Sequence, residues 1–177
     1  LALMVSKGIE YAVIECSSQG LMQHRTDMIT FDVGVFLNVQ HGDHVGTDEH
    51  PTFENYAYCK SLLLRQCRQG VVNLDDKNID FVVKEATCEL ITVGHDDTHA
   101  ATAKLGSTPD YVIGKQRTRE RNGLIGEEFN LSGKLDDEVY VNMPGEFAAL
   151  NAAATIAAVD ALGLPASAAK EALSHIH

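Results

Sequence analysis

Tyr11-Ala12-Val13-Ile14-Glu15-Cys16-Ser17-Ser18-Gln19-Gly20-Leu21 sets an apolar run directly before a carboxylate, two hydroxyls and a glycine. The run at 11–16 (YAVIEC), followed at 32–38 by a second one (DVGVFLN), predicts short strands buried on both faces. Open parallel α/β sheets present ligand groups at the carboxyl ends of their strands, so Glu15 and the Asp43-His44 pair are expected on one rim. Lys60 lies on the helix that follows. Carboxylate and imidazole converging there predict a divalent cation site and, with it, phosphate chemistry.

Outward from that stretch the pattern stays α/β. Residues 51–68 predict a helix, because Phe53, Tyr56, Leu63 and Leu64 fall near one stripe and Pro51 stands near the start. A strand is expected at 70–74, a helix at 78–86 and a further strand at 89–93. From Asp110 the character changes. Residues 110–120, 124–132 and 138–143 are strand-like, with turn signals at Asn122-Gly123 and across 133–137, which predicts a small antiparallel three-stranded meander over about 110–143. An alanine-rich helix at 146–162, stopped by Gly163, and a last helix at 165–176 close the chain. The expected fold class is α/β, a largely parallel sheet flanked by helices, with residues 1–177 forming one domain. Residues 1–8 resemble the end of a helix that stops at a glycine, so the chain is expected to be a piece of a longer protein.

Composition narrows the function. A formal net charge of −11 argues against nucleic acid or an anionic membrane as partner, and an acidic protein that binds nucleotides needs metal ions or a local basic patch. No apolar run approaches the roughly 20 residues of a membrane span, and the N-terminus lacks the features of a secretory signal. Cys16, Cys59, Cys67 and Cys88 show no CxxC spacing, so reduced thiols in a cytoplasmic protein are expected.

Five blocks carry a resemblance: ECSSQGLMQHR (15–25), FDVGVFLNVQHGDH (31–44), HPTFENYAYCK (50–60), GVVNLDD (70–76) and MPGEFAALNAAATIAA (143–158). In this order they resemble the central, ATPase domain of Mur ligases, most nearly the type that adds the third residue to the muramyl peptide of peptidoglycan. The resemblance implies ATP and Mg2+ as cofactors, and a UDP-muramyl-peptide and an amino acid as partners. It implies that Glu15 binds magnesium and that Ser17 and Arg25 hold the UDP-muramyl-peptide. His44 would ligate a second magnesium ion, and Lys60, in the Tyr56-x-x-x-Lys60 segment, would be carbamylated. Asn151 would face the adenine.

Departures accompany the match. Gly42 precedes Asp43-His44, Val45-Gly46 follows it, and Ala148 stands where the family has an asparagine. The family's G-x-x-x-x-G-K-[ST] phosphate loop has no counterpart, since Gly114-Lys115 and Gly133-Lys134 lack both the earlier glycine and the following Ser or Thr. That loop and the amino-acid-selecting domain are therefore expected elsewhere in a longer protein.

Other readings stand beside this one. Asn73-Leu74-Asp75-Asp76 reads as a strand-to-helix turn with Asp75 or Asp76 as the N-cap, in preference to a ligand contact. Folylpolyglutamate synthase and cyanophycin synthetase are related amide ligases, and the run at 42–46 is similar to the latter. A non-catalytic metal-binding module using His41, His44 and His50 belongs to a different class.

Overall fold

The computed structural model describes residues 1–40, 42, 45–95, 105 and 108–176. Three of the predicted apolar runs become strands β1 (Phe31–Phe36), β2 (Cys67–Asn73) and β3 (Glu89–His95), paired in parallel in that order. Alternation along β2 sends Val71 and Val72 into separate cores on opposite faces. Burying each contributes about 1.5–3 kcal/mol relative to leaving it exposed.

Strand β4 (Tyr111–Ile113) pairs parallel with β3 and antiparallel with β6 (Leu124–Gly133), so one sheet holds both the parallel part and the meander. Along the same edge of β6, residues 124–128 pair with β5 (Arg117–Arg121), and β7 (Asp137–Val141) lies along the other edge. The single strand expected at 110–120 is thus two strands, separated at 114–116, where Gly114 N–H still donates to Asn130 O at 2.8 Å. Asn122 and Gly123 both have positive φ and make the two-residue hairpin turn that their identities predict.

Two layers of helix cover the sheet. Helix α5 (Ala148–Ala161) buries eight residues, six of them alanines together with Leu150 and Ile156, against one side, where the short side chains permit close approach. Helix α6 (Ala166–Leu173) packs beside it. On the other side lie α3 (Phe53–Ser61) and α4 (Ile79–Val83). Helix α3 is shorter than expected. Its last turn tightens to 3-10 geometry over Leu62–Arg65, and β2 begins at Cys67 instead of residue 70. The bare Gly70 leaves room beneath this turn, where a β-carbon would lie 2.8 Å from Leu64 Cδ2.

One expectation fails outright. Residues 11–16 form no strand, and the apolar run is exposed, Val13 fully and Tyr11 at 60%. A strand buried on both faces needs neighbouring strands to take its N–H and C=O groups, and none among the described residues pairs with this one. Two short helices flank the run, α1 (Ala2–Ser6) and α2 (Ser18–Met22). No disulfide forms among the described residues: all four cysteines are free, and Cys67 Sγ approaches Cys88 Sγ no closer than 3.6 Å.

Candidate active site

The parallel strands end together at Phe36, Asn73, His95 and Ile113, and Asn73, Asp75, Asp76, His95 and Lys60 lie along this carboxyl rim. Lys60 reaches it from the last turn of α3. Its Nζ donates to the carbonyl oxygen of Asn38 at 3.2 Å and lies 5.0 Å from the Tyr56 ring centroid and 5.8 Å from that of Phe36. A carbonyl and two aromatic faces suit an ammonium.

Beneath the lysine the rim is tied by amide and carboxylate. Asn73 Nδ2 donates to Leu37 O at 2.8 Å, and Asn78 Nδ2 donates to Val39 O at 2.9 Å. Asp76 accepts from the Val39 backbone N–H on one oxygen and from Asn78 N–H, at 2.8 Å, on the other. Asp76 therefore braces the loop after β1 and does not cap α4, whose N-cap is Asn78. Asp75 pairs with His95, accepting from its backbone N–H at 3.0 Å and meeting Nδ1 at 2.7 Å. His95 carried no signal in the sequence that set it apart.

Ser17 and Arg25 come together around Gly20. Ser17 caps α2, its Oγ accepting from Gly20 N–H at 3.0 Å, which leaves its own proton free to donate. Helix α2 then ends in a Schellman turn. His24, at φ 60, donates to Leu21 O, and Arg25 N–H returns to Gly20 O at 3.0 Å. A β-carbon on Gly20 would meet Ser17 Oγ at 3.1 Å and Arg25 Cδ at 3.8 Å, so the glycine is the floor between the two side chains. The exposed Arg25 guanidinium holds Gln23 Oε1 at 2.6 Å.

Glu15 precedes this corner on an extended segment and not at a strand end, because the expected strand is absent. Its carboxylate is exposed and has no hydrogen-bond partner among the described residues. His44 lies outside the described residues, as do Asp43 and His41. Asn151 is exposed one turn into α5, and Asn151 O accepts from Thr155 Oγ1 at 2.8 Å. Burial pushes the thiols of Cys16 and Cys59 upward, so neither is a ready thiolate nucleophile.

His50, the member of the histidine-module reading that is described, is not a solvated loop residue. It is 1% exposed, its Nε2 stands 2.9 Å from Ser18 Oγ and its Nδ1 stands 3.1 Å from Asn55 Oδ1. With both ring nitrogens engaged it has no lone pair to offer a metal in this arrangement. No three His, Cys, Asp or Glu side chains cluster closely enough to share an ion among the described residues. The donor set still fits a hard cation better than zinc: Glu15 is an open carboxylate, and Lys60 would add oxygens if its amine were carbamylated.

Residues 1–159 match the Mur ligase middle domain. The chain belongs to the Mur ligase family. Over 177 residues this Mur ligase chain is 34% identical to a protein named UDP-N-acetylmuramoyl-L-alanyl-D-glutamate--2,6-diaminopimelate ligase from Caldanaerobacter subterraneus subsp. tengcongensis, covering 99% of the chain and 33% of that protein. It is 34% identical over 154 residues to the corresponding L-lysine ligase of Streptococcus thermophilus, covering 87% of the chain and 28% of that protein. The chain thus spans about a third of the length of these curated relatives. Its fold is shared with UDP-N-acetylmuramoylalanyl-D-glutamyl-2,6-diaminopimelate--D-alanyl-D-alanyl ligase from Acinetobacter baumannii, with a TM-score of 0.68 at 16% identity, covering 92% of the chain and 32% of that structure. As in those structures, a mixed sheet is flanked by helices.

Proposed function

We propose that this chain is the central domain of a longer ATP-dependent ligase that adds an amino acid to UDP-N-acetylmuramoyl-L-Ala-D-Glu. The observation that supports this reading is a chain of contacts between two matched elements: Ser18 meets His50, His50 packs against Tyr56, and Tyr56 lies under Lys60. Lys60 is held at the carboxyl rim by Asn38, and the Ser17–Arg25 corner is hydrogen-bonded to the same part of the molecule through Ser18 and His50. The names of the relatives support the acceptor, since the diaminopimelate and lysine ligases both act on the same dipeptide acceptor. Exposed Leu3, Val5, Ile9 and Val13 support a longer protein, as apolar surface of that kind is normally covered.

In this reading ATP gives its γ-phosphoryl group to the acceptor's terminal carboxylate, forming an acyl phosphate and ADP. The amine of the amino acid then attacks the acyl carbon, phosphate leaves, and one proton is lost from nitrogen as the amide forms. The Ser17 hydroxyl donates a hydrogen bond to the acceptor, and Arg25 supplies a cation beside it. Glu15, His44 and carbamylated Lys60 would hold magnesium, whose charge would offset that of the transferring phosphoryl group. Carbamylation itself would join the Lys60 amine to CO2; the ammonium gives up two protons in all, one to free the amine and one as the N–C bond forms, so a cation becomes an anion. Asn151 contacts the adenine. No side chain acts as a nucleophile; the chain positions and stabilises.

The test is a ligation assay on the intact enzyme with ATP, Mg2+ and the muramyl dipeptide, offering diaminopimelate and lysine separately. A new amide, with ADP released in equal amount, is the expected result. Glutamate addition to a folate, or aspartate addition to a polyaspartate primer, with no muramyl product would overturn the assignment.

A further inference from the structure

The Glu15–Ser17 segment has no sheet partner among the described residues, yet the reading above needs it fixed against Lys60. Helix α2, which follows it, is only five residues long, and a helix that short holds its place through tertiary contacts. Leu21 anchors it to the core, Gln19 meets Glu49, and Ser18 meets His50. Among the hydrogen bonds of α2, the one to His50 continues into α3: the second ring nitrogen of His50 bonds Asn55, and its ring packs 5.1 Å from Tyr56, centroid to centroid. Tyr56 in turn lies under Lys60 Nζ.

We infer that His50 is a positioning residue that sets the Glu15–Ser17 segment against Lys60. The inference rests on the proposed ligase reading. Asn55 Oδ1 can only accept, so Nδ1 carries the ring proton and the Nε2 lone pair takes the hydroxyl proton of Ser18. The imidazole is a fixed two-ended strut. Ser, His and Asn in sequence suggest a nucleophilic relay, but a ring 1% exposed has no room for a substrate beside it. Its role is to orient. Loop 47–50 is itself held in place, Gly46 N–H donating to His50 O at 2.8 Å and His50 N–H to Thr47 Oγ1 at 3.3 Å.

The experiment compares His50→Leu, His50→Gln, Ser18→Ala and the double variant Ser18→Ala/His50→Leu in the intact enzyme. His50→Leu is expected to raise both the acceptor KM and the Mg2+ concentration for half-maximal rate about tenfold or more, with the ATP KM within about twofold, because small displacements of positioning groups cost that much. Gln, whose amide reaches Ser18, should recover most of the loss. Ser18→Ala should shift the same two constants, and the double variant should be no worse than His50→Leu alone. A structural role only would lower the melting temperature and the active fraction while leaving the acceptor KM and the Mg2+ requirement unchanged, and that result overturns the inference. If His50→Leu fails to fold, the half-buried Ser18→Ala carries the same test. If the wild-type enzyme makes no muramyl amide, the ligase reading has failed; amide exchange then decides the positioning inference. Faster exchange over residues 17–25 in Ser18→Ala, with β2 unchanged, sustains it, and unchanged exchange over 17–25 overturns it.

Discussion

Lys60 Nζ donates to the carbonyl oxygen of Asn38 at 3.2 Å, so a residue near the end of one helix marks the carboxyl end of the neighbouring strand. The contact spans the elements between which parallel α/β proteins build their sites. It also places the lysine ammonium over two aromatic faces, half-buried between α3 and the end of β1.

Lys60→Ala in the intact enzyme is expected to lower kcat about 100-fold or more, the scale of removing one charge-stabilising group from an active site. Added bicarbonate should not rescue it, and Lys60→Arg, which keeps the charge but takes up no CO2, should be equally impaired. Steady-state ligation kinetics read the effect. Turnover near that of wild type in either variant would make Lys60 an ordinary helix lysine.

The 177-residue chain on its own should bind MgATP with a dissociation constant weaker than about 1 mM, because it has no G-x-x-x-x-G-K-[ST] loop to cradle the phosphates. Isothermal titration is the measurement. Micromolar binding at one site per chain would mean that the phosphates are held by other residues of this sequence.

Gly20→Ala should weaken acceptor binding without unfolding the protein. The new methyl would lie 3.1 Å from Ser17 Oγ, tight enough to push the cap aside by a few tenths of an ångström, and 3.8 Å from Arg25 Cδ. A rise of about 3- to 10-fold in acceptor KM is expected, with kcat changed less, as befits lost ground-state binding. An unchanged KM would place the acceptor away from this corner.

Glu128 should control the acid limb of stability. The guanidiniums of Arg121 and Arg117 hold its carboxyl below the usual range, burial opposes them, and Arg119 assists. Because the folded pKa is depressed, the stabilisation is complete above the unfolded value of about 4.3 and is lost as pH falls through the folded one. Urea midpoints measured from pH 7 down to pH 3 should fall less steeply for Glu128→Gln than for wild type. Parallel curves would remove Glu128 from the acid response.

Some of this protein was legible one residue at a time. Asn122-Gly123 announced its hairpin because left-handed backbone is a local preference, and β1, β2 and β3 announced themselves as apolar β-branched runs. The alanine-rich stretch ended by Gly163 foretold the helix α5. Ser17, Arg25 and Lys60 were marked only by resemblance to a family; their chemistry taken alone is that of surface polar residues.

Pairing and burial were decided in three dimensions. The run at 11–16 has the side chains of a buried strand, but a strand exists only where neighbours accept its backbone hydrogen bonds. One expected strand broke at Gly114 because β6 turns from β4 to β5 as its partner there. His50 looked like any loop histidine until Ser18, thirty-two residues earlier, and Asn55 closed on its two ring nitrogens. Periodicity and turn chemistry act between neighbours along the chain and can be read from it. Hydrogen-bond partners and burial come from distant segments, and only folding brings those segments together.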